Sequence, residues 1–103
     1  MANVAETDVL VVGAHRDDVE ITCGGTISKL SKLGYNVVIL DLTKGEMGSR
    51  GSSAIRKKES ECAAEVLGVK TRLNLGLPDA FVENNRENRV KVVKNLRKLR
   101  PQL

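Results

Sequence analysis

His15, Asp17 and Asp18 stand together in the segment His15-Arg16-Asp17-Asp18-Val19-Glu20. Imidazole and carboxylate in one short stretch form a donor set that suits zinc, and a catalytic zinc site keeps a position open for water. Two adjacent carboxylates can divide the work. One binds metal, and its neighbour accepts a proton from the water. The same residues also have a plain structural reading. Asp17 or Asp18 can cap a helix, and Asp17 with Glu20 has the spacing of a capping box. The helix dipole favours carboxylates there in any protein, and His15 can be a hydrogen-bonded loop residue.

The elements that must carry these residues alternate in type. Val9 to Ala14 is a short unbroken apolar run, predicting a strand buried on both faces. A helix is expected from Asp18 to Leu33, with Ile27, Leu30 and Leu33 as its apolar stripe and Gly34 as its stop. Asn36 to Leu42 reads as a second buried strand. Thr43 to Ser52 reads as a polar, Gly-rich loop, and Ser53 as the cap of a second helix. On that helix Ile55, Cys62, Ala63, Val66 and Leu67 are expected on the buried side. Glu59 shares that face, where its carboxylate would need a partner such as an arginine.

Val69 to Asn74 predicts a weaker third strand, and Leu75 to Glu83 a loop. Asn84 or Asn85 can cap a third helix with the stripe Val92, Val93, Leu96 and Leu99. Pro101 ends it and biases Arg100 to extended geometry. Alternating strands and helices imply an α/β fold, a Rossmann-like three-layer α/β/α arrangement with a parallel sheet in the order 3-2-1. His15 then lies at the carboxyl end of strand one, where open α/β sheets bind ligands. A fourth strand belongs on the free side of strand one. Its absence here predicts either an N-terminal part of a longer domain or a homo-oligomer that covers the exposed edge.

The chain has 103 residues, which fits a single domain over 1–103, with 41% apolar and 29% charged residues. Its start is polar and acidic, without the basic and apolar regions of a signal peptide, so a cytoplasmic location is expected. No apolar run is long enough to span a bilayer, and no membrane partner is expected. The net charge is +4, but residues 86–103 alone carry +6, so the excess sits on one helix and reads as a solvated face. With Tyr35 and Phe81 as the only aromatic residues, there is no stacking platform for single-stranded nucleic acid, and no nucleic-acid partner is expected. Cys23 and Cys62 lack CxxC spacing and are expected to pack as small apolar residues. No GxGxxG follows strand one, which leaves a nucleotide-binding reading without support.

Four segments in order, AHRDDVEITCGGTISKL, DLTKGEMGSRG, IRKKESECAAEVLGV and RLNLGLPD, resemble the PIG-L/LmbE-like family of zinc-dependent N-acetyl sugar deacetylases. The resemblance covers nearly all of residues 8–103. It implies a metal-dependent hydrolase that removes acetate from an N-acetylated amino sugar. It implies His15 and Asp18 as zinc ligands and Asp17 as the general base. Glu46 and Arg50, in the loop after strand two, could meet sugar hydroxyls. Arg56, in the RxxE pattern, and Asp79, after Pro78, are further candidates for substrate contact. Two departures stand out. Arg16 replaces the usual Pro, and the third zinc ligand implied by the resemblance, a His after a fourth strand, has no counterpart, since His15 is the only histidine. The alternative is a non-catalytic remnant that self-associates through its uncovered sheet edge.

Overall fold

The computed structural model describes residues 6–45 and 53–103. The elements run β1 (Val9–Gly13), α1 (Asp18–Lys32), β2 (Val37–Thr43), α2 (Ser53–Leu67), β3 (Thr71–Leu77) and α3 (Arg86–Leu99). The strands form one parallel sheet in the order β1-β2-β3, with Val9 opposite Val37 and Val38 opposite Thr71. This is the expected 3-2-1 order of an α/β fold.

β2 lies at the centre because its sequence tolerates burial on both faces. Val37, Val38, Ile39 and Leu40 are all buried. By the two-residue period of a strand, Val37 and Ile39 point to one face. There they join Val19, Ile27, Ala64 and Val69 in the core beneath α1 and α2. Val38 and Leu40 point to the other face. Among the described residues, α3 packs against β3 and touches neither α1 nor α2, which assigns it to that second side.

β1 is less enclosed than a strand buried on both faces. Its burial is partial along its length, and Val12 is half exposed. The reason is its edge position. Beyond α3 the chain turns back to it: Leu103 donates to the Asp8 carbonyl and accepts from the Leu10 amide, while Gln102 donates to Thr7. These bonds place the last residues in parallel beside the start of β1, on the side where a fourth strand was expected.

Several local expectations need correction. α2 docks through Ser60 and Ala64, with Ala63 and Leu67 half-buried, and leaves Ile55, Cys62 and Val66 exposed. The helix is rotated from the stripe of larger apolar residues because small side chains let its axis come close to the sheet. Glu59 turns outward with them and is exposed. Cys62 is therefore no core residue, whereas Cys23 does pack against the core. On α1 the buried line is Val19, Cys23, Ile27 and Leu30, and Leu33 is exposed. The α3 stripe is only partly covered: Leu99 is buried, but Val93 and Leu96 are exposed.

β3 extends three residues beyond the expected Asn74. Gly76, at φ 67°, absorbs a register irregularity opposite Asp41–Thr43 and lets pairing resume at Leu77. Asn85 is the cap of α3, its side chain accepting from the Asn88 amide. Arg100 is left-handed (φ 49°, ψ 53°) rather than extended: its N–H makes the last helical bond, to the Leu96 carbonyl, and the left-handed geometry then turns the chain out of the helix before Pro101. α1 is kinked at Cys23 (φ −143°, ψ 23°). Just before the kink, the Thr22 hydroxyl and the Cys23 thiol donate to the carbonyls of Asp18 and Val19. The first turn of α1, which carries Asp18 and Glu20, is thus aimed independently of the rest of the helix.

Candidate metal centre at the end of the first strand

Residues 14–18 form a tight turn whose backbone is held from several directions. The Ala14 carbonyl accepts from both the Thr43 amide and the Thr43 hydroxyl, each at 3.0 Å. The His15 carbonyl accepts from the Asp18 amide, and the Asp17 carbonyl accepts from Ile21. Thr43 is buried at the end of β2, so the sheet fixes where the turn begins.

Within this turn the helix-capping alternative is not realised. Asp17 occupies the N-cap position, but its side chain makes no cap hydrogen bond. Asp18 directs Oδ2 backward to the His15 amide, at 3.0 Å. Glu20 reaches Arg72 instead of completing a capping box.

The same Asp18 Oδ2 lies 3.4 Å from His15 Nδ1. Zinc bonds of about 2.1 Å in a tetrahedron set neighbouring ligand atoms about 3.4 Å apart. The pair therefore fits one edge of a zinc site. The other ring nitrogen, His15 Nε2, lies 2.6 Å from Asp79 Oδ1. Asp79 is buried, while His15 and Asp18 are each about 40% exposed (40% and 42%) and face outward. A ligating His whose second nitrogen meets a carboxylate is the usual arrangement at metal centres, because the carboxylate fixes the tautomer and ring orientation. The hydrogen bond to Asp79, first among its causes, raises the His15 pKa above 6.5, with Asp18 adding to the effect and desolvation opposing it. The neighbourhood favours positive charge on this ring, whether a proton or a metal supplies it.

Asp17 is exposed and lines a groove of about 510 Å³ with Arg16, Glu20, Arg56, Glu59 and Ser60. Arg56 comes from the first part of α2, and a Cβ added at Gly45 would fall 2.6 Å from its Nη1, so its guanidinium lies against the backbone just after β2. Of the residues singled out from sequence, His15, Asp18 and Asp79 are brought into contact, and Asp17 and Arg56 share the adjoining groove. Glu46 and Arg50 lie outside the described residues. Among the described residues, no three His, Cys, Asp or Glu side chains converge as a complete metal site.

One cluster went unread in the sequence. Arg72 on β3 donates from Nε to Asp41 Oδ2 at 2.7 Å and from Nη2 to Asp41 Oδ1 at 3.1 Å. Nη2 also meets Glu20 Oε1 at 2.9 Å and the Arg16 carbonyl, and Nη1 reaches the Ser60 carbonyl at 3.3 Å. Burial raises the Asp41 pKa against the pull of Arg72. For Arg72, burial opposes the charge, but the bonds to Asp41 and Glu20 outweigh it and raise its pKa. A signal was available: a carboxylate inside the buried run VVILDLT requires a cationic partner, and a neighbouring strand is the natural source.

Comparison with known proteins agrees with this architecture. Over residues 10–103 the chain matches the family model described as PIG-L: GlcNAc-PI de-N-acetylase. It is 41% identical over 100 residues to a diacetylchitobiose deacetylase of Thermococcus kodakarensis, covering 90% of this chain and 38% of that protein. It is 38% identical over 88 residues to a probable N-acetyl-alpha-D-glucosaminyl L-malate deacetylase 2 of Bacillus cereus, covering 76% of this chain and 40% of that protein. A solved structure of a conserved protein from Thermus thermophilus superposes with a TM-score of 0.89 at 46% identity, covering 93% of this chain and 44% of that one. The chain thus spans about two fifths of the length of the curated relatives it matches. The strand-end turn, the parallel sheet and these matches over nearly the whole chain converge on one conclusion: the chain belongs to the PIG-L family of de-N-acetylases.

Proposed function

We propose that this chain supplies the first-strand half of a zinc-dependent deacetylase centre acting on N-acetylated amino sugars. His15 and Asp18 hold the metal, and Asp17 is the general base. The observation that carries this reading is the 3.4 Å separation of His15 Nδ1 and Asp18 Oδ2, with the second ring nitrogen engaged by Asp79. A zinc ion bound there supplies Lewis acidity toward the amide carbonyl and toward water.

The chain's own residues do the rest. Asp79 holds the His15 ring, and the Asp18 side chain is tethered to the His15 amide, so both donors are oriented before metal arrives. Asp17, whose carboxylate makes no helix cap, accepts a proton from the water that attacks the amide carbon. The C–N bond then breaks as that proton passes from Asp17 to the leaving nitrogen, with acetate and a free amine as products. Arg56, which lines the same groove as Asp17, meets polar groups of the sugar, and Glu46 and Arg50 are proposed to contribute sugar contacts from their loop.

The relatives named as deacetylases of diacetylchitobiose and of an N-acetylglucosaminyl malate support an N-acetylglucosamine-type substrate. The test is acetate release from N-acetylglucosamine and its oligomers by protein that includes a third metal ligand. Asp17→Asn is expected to retain zinc and lose acetate release by at least about 100-fold, within the range for a positioned general base. Full activity in that variant contradicts the role of Asp17.

A further inference from the structure

Arg72 makes more contacts than charge balance requires. An ion pair with Asp41 alone would neutralise the buried carboxylate, and such pairs contribute little net stability compared with apolar packing. Yet the guanidinium also meets Glu20 on the first turn of α1, the Ser60 carbonyl on α2 and the Arg16 carbonyl inside the metal turn. The side chain is only 7% exposed, and Arg16 is itself buried, so water cannot easily replace these bonds.

The bond to the Arg16 carbonyl has a specific consequence. The Arg16–Asp17 peptide lies between the residue that offers Nδ1 and the residues that offer carboxylates. Rotating that peptide would swing Asp17 out of its groove and pull Asp18 Oδ2 from the His15 amide. The Ala14 carbonyl is already held by Thr43 from β2. Arg72 supplies the matching hold from β3, and through Glu20 it also fixes the α1 turn on which Asp18 sits. A planar group with five donors can serve these partners together, while an ammonium cannot span them.

We propose that Arg72 is a positioning residue for the metal centre, locking the His15–Asp18 turn in the geometry that receives the ion. The proposal rests on His15 and Asp18 as the metal ligands.

The experiment compares the unmodified chain with Arg72→Lys and with the double variant Arg72→Met, Asp41→Asn. The double variant removes the cation and its principal buried anion together, which guards against simple unfolding. Zinc affinity is measured by competition with a chromophoric chelator, and amide hydrogen exchange is followed at His15 and Asp18, with Ile39 and Leu40 as core references. The expected result is a zinc affinity about 10- to 100-fold weaker in both variants. Faster exchange at His15 and Asp18, with Ile39 and Leu40 still protected, should accompany it. Unchanged zinc affinity with protected turn amides overturns the proposal. So does exchange that rises equally at Ile39 and Leu40, because Arg72 would then be a general support of the fold. If the unmodified chain itself takes up no measurable zinc, the turn amides alone decide the role of Arg72.

Discussion

His15 Nε2 lies 2.6 Å from Oδ1 of Asp79, a residue 64 positions further along the chain. The contact joins the end of β1 to the loop after β3, across the full width of the sheet. It gives the imidazole a buried acceptor on one side and leaves the other side facing Asp18.

The pH dependence follows from this contact. His15 holds its proton to a higher pH in the folded chain than the ordinary 6.5, chiefly because Asp79 accepts the hydrogen bond. The stability it adds to the metal-free chain is therefore fully present below about pH 6.5 and is lost as pH rises through the raised folded value. NMR titration of the imidazole should show the raised value in the native chain and a lower one in Asp79→Asn. An identical titration in both would contradict the pairing. Because a protonated ring cannot bind metal, zinc uptake should weaken as pH falls through the same range.

Arg56 tests the groove. If its guanidinium meets the sugar, Arg56→Ala should raise KM by about 10- to 100-fold, the cost of a hydrogen bond to a charged group, with a smaller change in kcat. Steady-state kinetics on protein with a complete centre would check this. A loss confined to kcat would place Arg56 in the chemistry rather than in substrate contact.

The core makes a simpler prediction. Ile39 is fully buried at the centre of β2, and Ile39→Ala should cost about 2–5 kcal/mol in chemical denaturation. A cost below about 1 kcal/mol would mean that the sheet centre is not packed as described.

The strand order and the place of His15, Asp17 and Asp18 were legible because they follow from pattern. Apolar runs of strand length alternated with helical periods, and right-handed crossovers leave few ways to order three parallel strands. What stayed hidden depends on tertiary contact. The rotation of α2 is set by how closely Ser60 and Ala64 approach the sheet, and the larger Ile55 and Val66 misled the periodicity. The extra length of β3 depends on Gly76 taking a positive φ, so a sequence that reads as a turn continues as strand. Asp79 could be suspected from Pro-Asp, but not placed on His15, because its partner is remote in sequence. Arg72 and Asp41 were readable in principle. Each is a charged residue in a strand, and the register sets Ile39 opposite Arg72, which makes Asp41 its diagonal neighbour on the same face.

The metal itself decides most. The direct measurement is zinc content by elemental analysis of protein that includes a third metal ligand, purified without chelator, beside its His15→Ala and Asp18→Ala variants. The expected result is zinc retained by the unmodified protein and lost from both variants, with all three folded by circular dichroism. Equal zinc in all three, or none in the folded unmodified protein with its third ligand at neutral pH, would contradict the assignment of His15 and Asp18 as the ligands.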